Sequence, residues 1–320
     1  MPKNGDPTQP FFSGLARYPY NPFLDYLEPF SGLSALYHGF SNLVLPLLLH
    51  GIPLVLAPSP LPEVLRAAAS NMAALTLPAV PALWRTWLDA GAIPRAATLA
   101  ISAGAPLPLA LEHEIFAKLG LKVHNFYGST ECGGIAFDRS PTPRQDPASA
   151  GEPLDNVHLA VNPEGCLEVR GTAVGQTYWP EPHPTLADGR FQTTDLACLQ
   201  DGQVLLHGRA SDVINVAGRK IAPEIIEHHL LAHPGVRECL VFGVPHAPGD
   251  RGDSIVAVVA TAANPAELRE FLLRRLAGWQ VPRLWWVQDR IQTNERGKLS
   301  RTDWRRKFLA QKPPIPIAGD

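Results

Sequence analysis

The chain of 320 residues is long enough for two or three domains, and a hydrophobic content of 45% can form a sizeable core. A formal charge of −2, from 28 basic and 30 acidic residues spread along the chain, gives no basic stripe of the kind that neutralises DNA phosphates, so nucleic acid is not an expected partner. Cys132, Cys166, Cys198 and Cys239 have neither metal-ligand spacing nor the density of a disulfide framework, and Met1-Pro-Lys-Asn-Gly-Asp carries no apolar export signal, so the expected compartment is a reducing cytoplasm.

Residues 43–49 read as a buried helix stopped at Gly51, and 53–57 as a strand. Pro46, His50, Gly51 and Pro53 break this apolar stretch well short of the roughly 20 residues that a membrane span needs, so no membrane association is expected. From about residue 32 to 135, apolar helical stretches alternate with β-rich runs at 73–77, 98–102 and 122–126, the rhythm of an α/β sheet. Short strands at 158–161, 165–169 and 204–207, separated by turn residues, predict a small β-rich subdomain. After Arg209 come a strand at 213–216, a helix opening at Pro223, and strands near 239–244 and 255–260. A further helix starts at Asn264, which caps it; Pro265 suits the first turn, Glu267 completes a capping box, and Leu268, Phe271, Leu272 and Leu276 share one face. The expected fold is therefore α/β, with an α/β sheet plus small β subdomain in residues 1–210 and a smaller α+β domain in 211–320. The Pro-rich end, 312–320, reads as extended or disordered.

The segment Asn125-Phe-Tyr-Gly-Ser-Thr-Glu131 follows a strand and suits a nucleotide. Tyr127 can stack on a purine, Gly128 admits close backbone approach, Thr130 can donate to a phosphate, and Glu131 can help hold Mg²⁺. A bare Gly-Ser-Thr by itself reads rather as a strand-to-helix turn with a Ser/Thr cap. Its companions decide between the two. Ser102-Ala-Gly-Ala-Pro106 precedes it; Thr193-Thr-Asp-Leu196, Gly208-Arg-Ala-Ser-Asp-Val-Ile-Asn-Val-Ala-Gly218 and Gly297-Lys-Leu-Ser-Arg301 follow. In this order the motifs resemble those of the superfamily of AMP-forming adenylating enzymes, which includes acyl-CoA and aryl-CoA synthetases, peptide-synthetase adenylation domains and luciferases, from roughly residue 30 to residue 305.

The resemblance implies roles residue by residue. Gly104, Ala105 and Pro106 would border adenine, with Tyr127 stacking beside it and Gly128 and Ser129 in the same nucleotide loop. Thr130 and Glu131 would serve phosphate and Mg²⁺, and Asp195 would take both ribose hydroxyls, as a carboxylate suits two adjacent donors. Thr194 stands where the family has glycine. Arg209 would reach the ribose and phosphate side, and Ser211 falls at the pivot, usually Asp or Lys, about which the C-terminal domain turns. Gly218 would lie in the loop lining the pantetheine channel, where Arg219 and Lys220 either meet coenzyme A phosphates or are only solvated. Lys298 would bridge the carboxylate substrate and the α-phosphate, where a compact cation offsets the charge building on phosphorus. His38, in Leu36-Tyr-His-Gly-Phe40, and Gly133, Gly134 and Ile135 would line the acyl pocket.

The family's Ser/Thr/Gly-rich phosphate loop has no counterpart, so the adenylating domain is expected to be incomplete and cut inside that loop, Pro2-Lys3 standing at its end. The function implied is a carboxylate–thiol ligase that forms or uses an acyl adenylate. It would take ATP or AMP, Mg²⁺ and a carboxylic acid, with coenzyme A or the phosphopantetheine of an acyl carrier protein as thiol. The alternatives are half of a split ligase, completed by a second polypeptide that supplies the phosphate loop, and a non-catalytic adenylate-binding module.

Overall fold

The computed structural model describes residues 25–29 as backbone, and 51–57, 59–245, 252–292 and 299–311. His38, Lys298, the helix expected at 43–49 and the end 312–320 lie outside the described residues. The chain divides into two compact units, one of residues 1–193 with 198–206, the other of 194–197 with 207–320.

In the first unit, strands β1 (Asp25–Pro29), β2 (Leu54–Ala57), β3 (Leu75–Ala79), β4 (Ala97–Ala103) and β5 (Val123–Ser129) pair in parallel, in the order β2-β1-β3-β4-β5. The crossovers carry helices α1 (Pro62–Ala68), α2 (Pro81–Asp89) and α3 (Leu109–Leu119), as parallel pairing demands. Proline in the first turn starts α1 and α2, and left-handed Gly120 ends α3. On α2, Trp84, Trp87 and Leu88 recur at helical spacing and are buried against the sheet. The two indoles meet edge to face at 5.6 Å, a geometry that adds about 1 kcal/mol beyond their burial. Each indole N–H is satisfied, Trp84 donating to the Ile101 carbonyl at 3.2 Å and Trp87 to that of Pro60 at 2.8 Å. The first of these bonds pins α2 to β4 just ahead of the 104–106 loop.

After β5 the pairing turns antiparallel. Strands β6 (Gly133–Phe137), β7 (Ser149–Pro153), β8 (Val157–Val161), β9 (Cys166–Gly171), β10 (Leu186–Ala187), β11 (Arg190–Gln200) and β12 (Gln203–Arg209) extend the sheet in the order β6-β7-β12-β11-β9-β8, with β10 on β11.

In the second unit, β13 (Ile214–Val216) and β14 (Arg219–Ile221) form a hairpin whose two connecting residues, Ala217 and Gly218, have φ of 50° and 86°. That pair of positive φ values marks a two-residue primed turn, the reason for a glycine at 218. Helix α4 (Pro223–Leu231), β15 (Val236–Pro245), β16 (Asp253–Thr261), α5 (Pro265–Leu273), β17 (Leu284–Gln288) and α6 (Arg301–Ala310) complete it. Strand β16 is central, antiparallel to β15 and parallel to β17. Its alternate residues serve two cores: Ile255, Ala257 and Val259 pack with Ile226, Leu230, Leu268 and Leu272, while Val256, Val258 and Ala260 pack with Trp304 and Phe308. The Asn264 carboxamide accepts the Glu267 N–H at 2.9 Å, the cap expected of that residue.

Candidate functional site

Adjacent parallel strands β4 and β5 are in register at Ser102 with Asn125 and at Ala103 with Phe126. The 104–106 loop and the 127–131 end of β5 therefore lie side by side at the strands' carboxyl ends, where ligands bind in open α/β sheets. Gly104 and Pro106 are exposed, and Ala105, Tyr127, Gly128, Ser129 and Glu131 are half-buried. Thr130 is exposed at the tip of the turn.

The turn does not open a helix, so the helix-cap alternative for Gly-Ser-Thr falls. The chain reverses over 130–132 into β6, which pairs with β5 at Tyr127 with Ala136, Gly128 with Gly134 and Ser129 with Gly133. This hairpin brings Gly133, Gly134 and Ile135 next to the 127–129 strand end; Gly133 is half-buried, Gly134 and Ile135 buried. Gly128 is required by space: a Cβ there would sit well inside 3.0 Å of the Gly133 carbonyl oxygen. Close approach at Gly128 is thus to the chain's own backbone.

Three contacts fix the turn. Ser129 Oγ and Cys132 Sγ bond across it at 3.0 Å, the Gly175 N–H donates to the Glu131 carbonyl at 2.8 Å, and the Tyr178 hydroxyl donates to Glu131 Oε1 at 3.1 Å. Burial, with the Glu131 charge adding to it, pushes the Tyr178 phenol up from its ordinary value, so it remains a donor. Motif reading missed Tyr178, because no local pattern links it to Glu131. Among the described residues no three His, Cys, Asp or Glu side chains gather as a metal cage. A single oriented carboxylate still fits Mg²⁺, which is commonly held by one or two carboxylates together with substrate phosphates.

A buried ionic network joins α3 to the β5–β6 hairpin. Glu112 on α3 accepts from Lys122, and also from Arg144 through its Nε and its backbone N–H, both at 2.9 Å. Lys122 also binds Asp138, and Arg144 donates to the carbonyls of Leu107 and Ser149, both at 2.7 Å. Two cations meet two carboxylates, so the burial of charge is compensated. Burial acts to raise the Asp138 carboxyl, but donation from Lys122 and Ser140 outweighs it and holds the group below its ordinary value. The network grips Leu107 just past the 104–106 loop, and Lys122 just before β5 and Asp138 just after β6, tying that loop's exit to the open end of the β5–β6 hairpin, opposite its 130–132 turn.

Asp195 and Arg209 belong to the second unit and pair there, Arg209 Nε to Asp195 Oδ1 at 3.0 Å. Ser211 is exposed in the 3-10 turn Ala210–Asp212. The next residue, Asp212, accepts from Arg301 Nη1 at 3.1 Å, and the same guanidinium reaches Glu224 at 2.9 Å, Glu227 at 2.7 Å and the Val241 carbonyl at 3.1 Å. Burial pushes the Glu227 carboxyl up to about 7, Arg301 opposing it. Gly218 is exposed, its N–H bound to the Asn215 side chain at 2.9 Å. Arg219 lies over the Trp279 ring at 5.5 Å, and Lys220 is exposed. A cavity of about 100 Å³ beside this turn is walled by Val216, Ala217, Trp279, Val281 and Arg283. No helix among the described residues is long and apolar enough to cross a membrane.

The profile of the AMP-binding enzyme family matches residues 26–179, and that of the AMP-binding enzyme C-terminal domain matches 225–298. The chain is 30% identical over 243 residues to the mitochondrial malonate–CoA ligase of Mus musculus, an alignment covering 64% of this chain and 41% of the relative. It is 34% identical over 223 residues to a feruloyl-CoA synthase of an Amycolatopsis species, covering 64% and 45%. The crystal structure of ATP-bound MatB from Rhodopseudomonas palustris superposes with a TM-score of 0.79 at 26% identity, over 90% of this chain and 60% of that one. The chain thus spans less than half the length of these two curated relatives.

Proposed function

This chain belongs to the superfamily of AMP-forming adenylating enzymes, and on that premise we propose that it works as an AMP-forming carboxylate–CoA ligase, binding an acyl adenylate and passing its acyl group to a thiol. The observation that carries the reading is the juxtaposition of the Gly104-Ala-Pro106 and Tyr127–Glu131 segments at the carboxyl ends of β4 and β5. In this reading Gly104, Ala105 and Pro106 border the adenine and Tyr127 stacks on it. Gly128 and Ser129 shape the loop, and Thr130 donates to the phosphate. Glu131 holds Mg²⁺, which when bound neutralises phosphate charge. Gly133, Gly134 and Ile135 bound the acyl group, joined by His38.

Asp195 takes the ribose hydroxyls, and Arg209, already bonded to it, orients that carboxylate and faces the phosphate side. Ser211 is the pivot of the 211–320 domain, and Gly218 lies on the thiol's path. Lys298 brings the carboxylate and the α-phosphate together and stabilises the transition state, a contribution worth about 10²–10³ in rate.

Calorimetry with AMP and with a non-hydrolysable acyl-adenylate analogue tests the site; the analogue is expected to bind more tightly because it fills both the nucleotide and the acyl subsites. Acyl transfer from a supplied acyl adenylate to coenzyme A tests the second step. ATP–pyrophosphate exchange tests the first, and Lys298→Ala is expected to lower it by about 10²–10³. Failure of both AMP and the analogue to bind would refute the proposal.

A further inference from the structure

We propose that Tyr178 is a positioning residue whose phenol holds the Glu131 carboxylate in the orientation that receives a divalent cation, so that the 171–189 segment helps set metal–nucleotide affinity. The inference rests on the role of Glu131 proposed above. Tyr178 lies 47 residues beyond Glu131, and its hydroxyl is that carboxylate's partner among the described residues, at 3.1 Å to Oε1. The same segment holds the Glu131 backbone through the Gly175 N–H, at 2.8 Å to the carbonyl. Glu131 is therefore gripped at main chain and side chain by one stretch of sequence, which removes the rotamer freedom that a half-buried glutamate otherwise keeps.

Farther along the same segment, His183 Nδ1 bonds Thr185 Oγ1 at 2.8 Å. Tyr178 is half-buried with its hydroxyl on Glu131, while the adjacent Trp179 stands 91% exposed. With Oε1 held from one side, the carboxylate presents a fixed direction to a cation and needs no reorganisation when a metal–nucleotide complex arrives.

The test is calorimetric titration of ATP into the full chain, with Mn²⁺ as the metal probe and with EDTA in its place. For Tyr178→Phe, the gain in ATP affinity conferred by Mn²⁺ is expected to fall about tenfold, the size of a lost hydrogen bond to a charged group, while affinity in EDTA stays within about twofold of the parent. An unchanged Mn²⁺ gain, or equal losses with Mn²⁺ and with EDTA, would overturn the inference. In a Glu131→Gln background, Tyr178→Phe should cause no further loss of the gain; a full tenfold loss there also overturns it. Should circular dichroism show Tyr178→Phe unfolded, Glu131→Asp gives the second arm. It draws the carboxylate back by one methylene from the phenol and is expected to lower the Mn²⁺ gain by about tenfold, and no change would count against the inference. A parent chain whose ATP affinity gains nothing from Mn²⁺ also overturns the inference, whereas one that binds neither AMP nor the acyl-adenylate analogue removes the proposed function itself.

Discussion

Replacing Gly128 by alanine separates the packing of the site hairpin from its chemistry. The new Cβ would sit well inside 3.0 Å of the Gly133 carbonyl oxygen and 3.2 Å from both Gly133 C and Gly134 Cα, all of them backbone atoms that no rotamer change can move aside. Relief requires the paired strand to retreat by about half an ångström or more at the register shift between Tyr127 and Gly128, and overpacking of that kind costs about 1–3 kcal/mol. Gly133→Ala is the control. Its φ of +66° carries left-handed strain of about 1–2 kcal/mol, but nothing lies within 4 Å of the added methyl. The two variants can therefore cost similar stability while differing at the site, because only the first displaces the backbone between Tyr127 and Glu131. Urea unfolding followed by tryptophan fluorescence measures the stability, and calorimetry measures AMP affinity. Gly128→Ala is expected to weaken AMP binding at least about tenfold, and Gly133→Ala by less than about threefold. Equal AMP affinities for the two variants would refute the reasoning.

Glu112→Gln should be severe, because it leaves Lys122 and Arg144 buried without their shared carboxylate; a loss of about 3–5 kcal/mol in urea unfolding is expected. Glu227 gives a pH signature. Its folded-state carboxyl, up at about 7, binds a proton more tightly than the unfolded chain does, so its contribution is fully present below about pH 4.5 and is lost as pH rises through about 7. Stability measured between pH 5 and 8 should fall by roughly 2–3 kcal/mol from this group, and Glu227→Gln should flatten the profile. Asn264→Ala removes the cap of α5 and is expected to cost about 1 kcal/mol in the same unfolding assay.

The parts legible in the residue order were those set by local rules. The unbroken apolar run in β16 marks a strand buried on both faces, Asn264 with Pro265 marks a helix start, and the succession of motifs from Ser102 to Arg301 carries the family resemblance. The ambiguous pieces were those whose partners lie far along the chain. Gly128-Ser-Thr is open to a nucleotide loop or a helix cap, and pairing with 133–137 makes it the end of a hairpin. Glu112 and Arg144 are 32 residues apart, and Tyr178 and Glu131 are 47 apart, with no periodicity joining either pair. Capping, turn chemistry and side-chain alternation act over a few residues, so a short window holds all they need. Hydrogen bonds and ion pairs between distant segments form only once the sheet order has brought those segments together, and that order is a property of the whole packed chain.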